Sequence, residues 1–330
     1  MAILCVSGVN DLSTVGVQTD NDGNVVHLTD GNSPVFGRIP FKHGMAAYMV
    51  LFGLGVKQRM MSFNNPPSLI FNQIADAETH RGSLRRCAAL CESVSSPVIN
   101  QPKSILHTTR ELVSGLLQEI PGVVMPKTMR FQPLSPQAVF EFAATVGIGL
   151  PFIARVADDL TGKSRVLVRS PDDLGLLNAL PFDGRDFLLT EFVEFKDDEG
   201  LYHRIRLLVA DGEPVLRDAL FNKDWKIPGN SHAFMLTRES WEEHAERCRR
   251  LETEVLPGLA PRVREIKRRL DLEYFGIDCH INPAGEMLIF EASANMDMLL
   301  NAHPELNGRM EMIHQKIYAL INRHSGEVVI

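Results

Sequence analysis

Apolar and polar positions switch between two periods along the chain. Ile3–Val6 is a short apolar run that reads as a first buried strand. Asn21-Asp22-Gly23-Asn24 and Asp30-Gly31-Asn32 are turn signals on either side of a second run, Val25–Leu28. The apolar stretch Ala46–Val56 predicts a helix, ended by Asn64-Asn65-Pro66-Pro67. Leu69–Asn72 is a strand that opens into a helix, with Leu84, Ala88, Cys91 and Val94 on one face at three- and four-residue spacing. Ser95-Ser96-Pro97 stops that helix, and Val98-Ile99 is the next strand. Strand and helix thus alternate over residues 1–105, which predicts a small parallel α/β domain.

The middle of the chain continues with a helix over Ile105–Leu117, a strand near Thr128–Phe131 and a helix over Ser135–Val146. Ser135-Pro136 supplies the cap and first-turn residue. Strands Pro151–Val156 and Arg165–Arg169 flank the polar loop Ala157–Ser164, and a helix is predicted over Asp172–Leu180. From Phe187 the period falls to two: Phe187–Phe195, Tyr202–Ala210 and Pro214–Leu220 form an antiparallel meander with turns at Asp197–Gly200 and Asp211–Glu213. Residues 238–270 are helical, with a break expected at Pro257-Gly258. Two strands, Tyr274–Asn282 and Glu286–Glu291, and a last helix, Gly308–Arg323, close the chain.

At 330 residues the chain has room for about two domains, and 45% hydrophobic with 23% charged residues is ordinary globular composition. Fibrous, collagen-like and largely disordered classes are excluded. With 34 basic and 41 acidic residues the formal charge is −7, so no broad nucleic-acid surface is expected. The longest uncharged apolar stretch, Met45–Val56, is twelve residues, too few to span a bilayer. No signal-peptide pattern opens the chain, and five cysteines without metal-ligand spacing read as free thiols; a reduced, cytoplasmic protein is expected.

Several motifs carry little. Ala157–Ser164 ends in Gly162-Lys163-Ser164, but a phosphate-binding loop of the P-loop type needs a helix directly after it. A strand follows here, and Asp158 and Asp159 would put negative charge into the cradle; a phosphate-facing loop between two strands stays open. Gly53-Leu54-Gly55 lacks the third glycine of a dinucleotide fingerprint. Neither a His-Glu-x-x-His nor a Gly-x-Ser-x-Gly motif occurs.

The informative segment is Tyr274–Asn295. Asp278 stands among Phe275, Ile277 and Ile281 in one apolar strand, and Glu291 ends the next, thirteen positions on. Burying an acid in an apolar strand is unfavourable without a cation. A hairpin turning near Ala284-Gly285 puts the two carboxylates nearly opposite and on one face. Two hard oxygen donors there suit Mg²⁺ carrying nucleotide phosphates. An ordinary hairpin with exposed acids meets the same pattern.

This Asp-to-Glu spacing resembles the metal-binding signature of the ATP-grasp superfamily. In chain order, Phe71–Asp76, Pro97–Pro102, Pro121–Pro126, Thr190–Val193 and Asp224–Lys226 resemble its RimK-like and glutathione-synthetase-like branch, over roughly residues 65–300. The resemblance implies an α/β N-terminal domain (1–105) followed by two α+β subdomains that sandwich ATP. These are a central lid (106–190) and a C-terminal subdomain (191–330). It implies a carboxylate–amine ligase that forms an amide through an acyl phosphate, with ATP and Mg²⁺ (two ions, Mn²⁺ as substitute). The partners implied are small-molecule or peptide carboxylates and amines, with homodimers common in the family.

By position, Arg110 and Arg155 match basic residues on the ATP phosphates, where many relatives have Lys. Gly162, Lys163 and Ser164 fall at the loop that covers the phosphates, and the resemblance implies Lys163 as a catalytic cation that neutralises their charge. Glu191, Phe192 and Val193 match the adenine hinge, and Glu194 a ribose acceptor. Arg206 matches a basic residue near the transferring phosphoryl group. Asp278 and Glu291 match the metal ligands. Where the family signature continues Glu-x-Asn, this chain has Ser293, with Asn295 two residues later, so either could complete the metal set. Ile227-Pro228-Gly229 replaces a His-Tyr pair common in relatives, which implies a diverged acceptor site. Two other readings stay open: an ATP-grasp small-molecule kinase and a non-catalytic nucleotide-binding protein.

Overall fold

The computed structural model describes residues 2–19, 23, 25–28, 30–33, 35, 46–53, 66–159, 162–229, 231–295 and 307–326. The expected turn at 21–24 and the stop at Asn64-Asn65 fall largely or wholly outside them, as do Leu54, Gly55 and Thr161. Three main sheets organise the chain. β1 (Ala2–Gly8), β4 (Ala46–Phe52), β5 (Leu69–Asn72) and β6 (Val98–Ile99) form a parallel sheet in the order β4-β1-β5-β6. β2 (Gly16–Thr19) and β3 (Val25–Leu28) make a separate hairpin.

The central sheet has the order β10-β9-β11-β8, built from β8 (Thr128–Phe131), β9 (Phe152–Val156), β10 (Val166–Val168) and β11 (Phe187–Glu191). Its core is its own: Val139 and Ala143 of one helix pack with Phe152, Ala154, Val168, Leu177 and Phe187. The third sheet has the order β13-β12-β14-β15-β7. Its strands are β7 (Val123–Val124), β12 (Tyr202–Ala210), β13 (Glu213–Asn222), β14 (Tyr274–Ile281) and β15 (Met287–Ser293).

The parallel sheet and the C-terminal sheet share one core. Ile3, Leu69 and Phe71 pack with Tyr274 and with Ile313, Ile317 and Ile321 of the last helix, Asn307–Ser325. Asn100 stitches the two sheets with hydrogen bonds. Its side-chain NH₂ donates to the Tyr274 carbonyl at 2.7 Å, and its Oδ1 accepts from the Glu273 and Tyr274 N–H groups at 2.7 and 3.2 Å.

Four expectations are corrected. Ala46–Phe52 is a strand parallel to β1, not a helix; an uninterrupted apolar run carries no period that separates the two. The helix expected over Ile105–Leu117 is two, α2 (Pro102–Ile105) and α3 (Arg110–Leu117), after α1 (Arg81–Ser93). Thr108 Oγ1 donates to the Ile105 carbonyl at 2.7 Å and Thr109 is extended, so α3 restarts with Arg110 at its first position. After α4 (Pro136–Val146), Pro171–Ala179 is a 3₁₀ helix, not an α-helix, started by a Ser170/Asp173 capping box.

The break expected at Pro257-Gly258 lies one turn earlier. α5 (His232–Met235) is followed by α6 (Trp241–Arg250), a π segment Leu251–Val255, and α7 (Leu256–Leu270). Pro257 has no N–H to donate back into that turn, and the ladder widens there instead. No described helix is long and apolar enough to cross a membrane.

Candidate functional site

A cavity of about 430 Å³ lies between the central and C-terminal sheets. Ile153 and Arg155 of β9 and Thr190 and Glu191 of β11 form one wall; Arg204, Arg206, Asp278 and Leu288–Ser293 form the other. Arg110 closes it from the start of α3.

The second wall rests on two irregularities of the sheet. From the hairpin turn, Ile281 pairs with Met287 and Cys279 with Ile289, which would place Asp278 across from Phe290. Phe290 is instead an extra, bulged residue, so Asp278 lies across from Glu291 and both share a face. β13 carries a matching bulge at Arg217, which brings Asp218 across from Arg206. Arg206 in turn lies across from Asp278. Asp218, Arg206, Asp278 and Glu291 therefore form one charged row over four adjacent strands.

Arginines hold this row. Arg206 grips Asp278 as a fork, Nε to Oδ1 and Nη2 to Oδ2, both at 2.8 Å. Arg204 Nη1 stands 3.6 Å from the same carboxylate. Arg110 Nη2 pairs with Glu291 at 2.8 Å, and its Nη1 donates to the Phe290 carbonyl at 3.3 Å, on the bulged residue. Burial disfavours the charge on Arg110 and on Arg206, but Glu291 and Asp278 respectively outweigh it and raise both pKa values. Burial likewise works against the Glu291 carboxylate, and Arg110 overrides it, holding the group below its usual range.

Other cations of the cavity lack such compensation. Burial, then the charge of Arg110, lowers Arg155 and Arg165; burial, then Arg206, lowers Arg204 despite Asp278. A guanidinium keeps its proton in proteins, so these shifts describe positive charge short of negative partners. Arg155 is only 7% exposed, and the buried Nε of Arg204 has no hydrogen-bond partner among the described residues. Such a wall suits an anion that brings its own oxygens.

Of the residues singled out by sequence, Arg110, Arg155, Gly162, Glu191, Phe192, Val193, Arg206, Asp278, Glu291, Ser293 and Asn295 line this one cavity. Lys163, Ser164 and Glu194 do not. The loop before β10 is folded around Asp159, whose carboxylate accepts from the N–H groups of Gly162 and Ser164 at 3.0 and 2.7 Å and from Ser164 Oγ at 2.7 Å. An internal carboxylate thus occupies these donors. Gly162 has φ +70°, and Arg165 Nε lies 2.8 Å from where a Cβ would stand.

Glu191 Oε2 accepts from the Lys127 N–H at 3.0 Å, and the Phe192 N–H donates to the Pro151 carbonyl at 3.1 Å. The Phe192 N–H is therefore taken within the protein, and its ring packs against Phe195 and Trp225. Glu194 faces outward, 3.6 Å from Arg169 Nη1 and about half exposed. Sequence reading gave no role to Arg165 and Arg204 on the cavity wall, nor to Trp225, although Trp225 lies in the Asp224–Lys226 motif. Arg204 was accessible to it: two positions from Arg206 in one strand, it shares that residue's face. Arg165 had no such signal, because its direction depends on the loop around Asp159.

No family model and no curated protein matches the chain. Solved structures do match along nearly its whole length. The D-Ala:D-Ser ligase VanG of Enterococcus faecalis is 13% identical, with 98% of this chain and 99% of that chain covered and a TM-score of 0.57. The D-alanine–D-alanine ligase of Bacillus anthracis is also 13% identical, covering 98% and 97%, with a TM-score of 0.56. A RimK domain ATP-grasp protein of Sphaerobacter thermophilus is 15% identical, covering 96% and 99%, with a TM-score of 0.51.

The chain has the ATP-grasp fold. Its cavity lies between the central and C-terminal sheets, and the charged row lies in the larger of them. The divalent ion expected of an ATP-grasp protein meets a suitable donor set on this wall. Asp278, Glu291, Ser293 and Asn295 all offer hard oxygens to the cavity. Ser293 Oγ accepts from the Asn295 N–H at 3.0 Å, which folds the two alternative donors together. The arginine pairs leave acceptor capacity on both carboxylates, since each oxygen carries two lone pairs.

Proposed function

We propose that this protein is an ATP- and Mg²⁺-dependent carboxylate–amine ligase. The observation that carries the reading is the cavity wall itself: Asp278 and Glu291 on one face, ringed by Arg110, Arg155, Arg165, Arg204 and Arg206. Two acids suit a divalent ion, and under-neutralised guanidinium groups suit phosphate oxygens.

In this reading Arg110, Arg155 and Arg165 draw the triphosphate between the sheets. Asp278, Glu291 and Asn295 or Ser293 hold Mg²⁺, which supplies positive charge to the phosphates when bound. Arg206, fixed by its fork to Asp278, faces the phosphoryl group in flight. A substrate carboxylate oxygen takes the γ-phosphoryl group and ADP leaves. An amine then attacks the acyl carbon, the C–N bond forms, inorganic phosphate departs and the amine gives up a proton. The Asp159-tied loop limits water access, because acyl phosphates hydrolyse. Lys163 and Ser164 serve that cover rather than the phosphates.

The ligase names of the D-Ala:D-Ser and D-Ala–D-Ala enzymes agree with amide formation from amino acids. The test is ADP release across a panel of amino acids, peptides and other acids and amines, with Asp278→Asn and Glu291→Gln as controls. ADP release that needs both an acid and an amine and disappears in the controls supports the ligase. Full activity in the controls overturns the metal assignment. ADP release without amide, with a phosphorylated product, identifies a kinase instead. ATP binding with no turnover identifies a nucleotide-binding protein, a reading favoured by the hold of Arg206 on both oxygens of Asp278.

A further inference from the structure

On the opposite side of Arg206, the charged row ends in a second cluster. Asp218, 8% exposed, faces two imidazoles brought from different helices. His232 Nε2 of α5 is 3.0 Å from Asp218 Oδ2, and His244 Nε2 of α6 is 3.1 Å from Asp218 Oδ1. The His232 nitrogen is buried and makes no well-aligned hydrogen bond among the described residues, although it stands at ion-pair distance from the Asp218 carboxylate and helps to lower that group's pKa. All three ligand atoms lie within 4.8 Å of one another.

We infer that Asp218, His232 and His244 bind a divalent ion of the zinc class, separate from the oxygen-rich wall around Asp278. The donor set is two imidazole nitrogens and one carboxylate oxygen, which zinc takes in preference to magnesium. Zn–N bonds of about 2.0–2.1 Å in a tetrahedron separate ligand atoms by about 3.3 Å; the two His–Asp contacts have similar lengths but run to different oxygens of Asp218. A turn of the Asp218 carboxylate and of the two rings brings one oxygen and both nitrogens around the ion, and water takes the fourth position. Cys248 Sγ, 3.8 Å from His244 Nε2, stays outside the set.

The surroundings support the assignment. Glu239 Oε1 is 3.1 Å from His244 Nδ1, the carboxylate–imidazole relay that orients a ligating histidine with Nε2 toward the ion. Arg247 Nη2, 2.8 Å from the same Glu239 oxygen, fixes that carboxylate but also lies 3.0 Å from His244 Nδ1. In the metal-bound form Nδ1 carries the proton and donates to Glu239. The three ligands come from β13, α5 and α6, so the ion would clip both ends of the segment that carries Trp225, Ile227 and Gly229 into the cavity wall. Its role is to hold that wall.

The test is titration of the full chain with Co²⁺ and Zn²⁺ in a large excess of Mg²⁺, read by Co²⁺ visible bands, by calorimetry and by tryptophan fluorescence. The Trp241 ring lies 5.1 Å from that of His232 and 5.7 Å from that of His244, so bound Co²⁺ should quench it in a Trp225→Phe background. One equivalent should bind with tetrahedral cobalt bands. His232→Ala and Asp218→Asn should each weaken binding about a hundredfold or more, and Glu239→Gln about 10–100-fold. His244 is buried and its variants risk misfolding, whereas His232 sits partly exposed on a four-residue helix and keeps the test decisive. Absence of uptake at micromolar metal overturns the inference. So does uptake that His232→Ala and Asp218→Asn leave unchanged. Neither result depends on turnover, so the ligase reading is tested apart from it.

Discussion

Asp278 lies across from Glu291 because Phe290 is squeezed out of register between them. The same extra residue presents its carbonyl to Arg110, whose other nitrogen holds Glu291. One inserted position therefore aligns two acids on a face and anchors the helix that brings their cation. The bulge at Arg217 does the corresponding work for Asp218 and Arg206.

The Arg206–Asp278 fork should be coupled strongly. Asp278 is 5% exposed, and removal of Arg206 leaves only Arg204 at 3.6 Å. Arg206→Ala should destabilise the fold by about 3 kcal/mol, the low end for breaking a buried pair. Adding Asp278→Asn should restore most of that loss. Urea unfolding of the two single variants and the double variant measures the coupling; additive effects would refute it.

Arg155 should trade stability for anion binding. It is buried near the cationic Arg110 and lacks a full charge partner. Arg155→Met should leave the protein as stable or more stable, by up to about 1 kcal/mol, since relieving unpaired buried charge is favourable. Its affinity for ATP should fall at least about tenfold. Thermal unfolding with and without nucleotide separates the two effects.

Acid should weaken the fold partly through Glu291. Burial opposes its charge, but Arg110 holds the folded-state pKa below the ordinary 4.5. The stabilisation is therefore present above the unfolded carboxylate value and is lost as pH falls through the folded one. Between about pH 5 and pH 3, unfolding temperature should drop less steeply in Glu291→Gln than in the parent. Parallel curves would show that Glu291 is not ion-paired in solution.

Asn100 should be worth more than one hydrogen bond. It satisfies three backbone groups of Glu273 and Tyr274 from the other sheet. Asn100→Ala leaves them buried without partners, at about 1–3 kcal/mol each, so a loss of about 3 kcal/mol or more is expected. Amide exchange at Glu273 and Tyr274 should accelerate in the variant. Unchanged exchange there would place the docking energy in the apolar core alone.

Much of this site is local in sequence. Arg204 and Arg206 share a face through the two-residue period of a strand, and Asp278 and Glu291 stand at a spacing that a short hairpin brings together. The failures were also local in kind. Ala46–Phe52 has no period to read, and Thr108-Thr109 break a helix that hydrophobic spacing alone would continue. Lys163 belongs to an attractive motif, yet Asp159 fills the N–H groups that such a motif would offer to phosphate.

Sequence by itself determined most of the strands and helices, the hairpin that carries the two acids and eleven of the residues that meet in the cavity. The elements and the hairpin follow from periodicity and turn chemistry, which act over a few residues; most of the cavity residues came from the resemblance in motif order. Tertiary structure alone decided that Arg110 reaches Glu291, that Phe290 and Arg217 bulge, and that His232 and His244 converge on Asp218. Those outcomes depend on which distant surfaces pack together and which buried charges then find partners, and no local pattern encodes that choice.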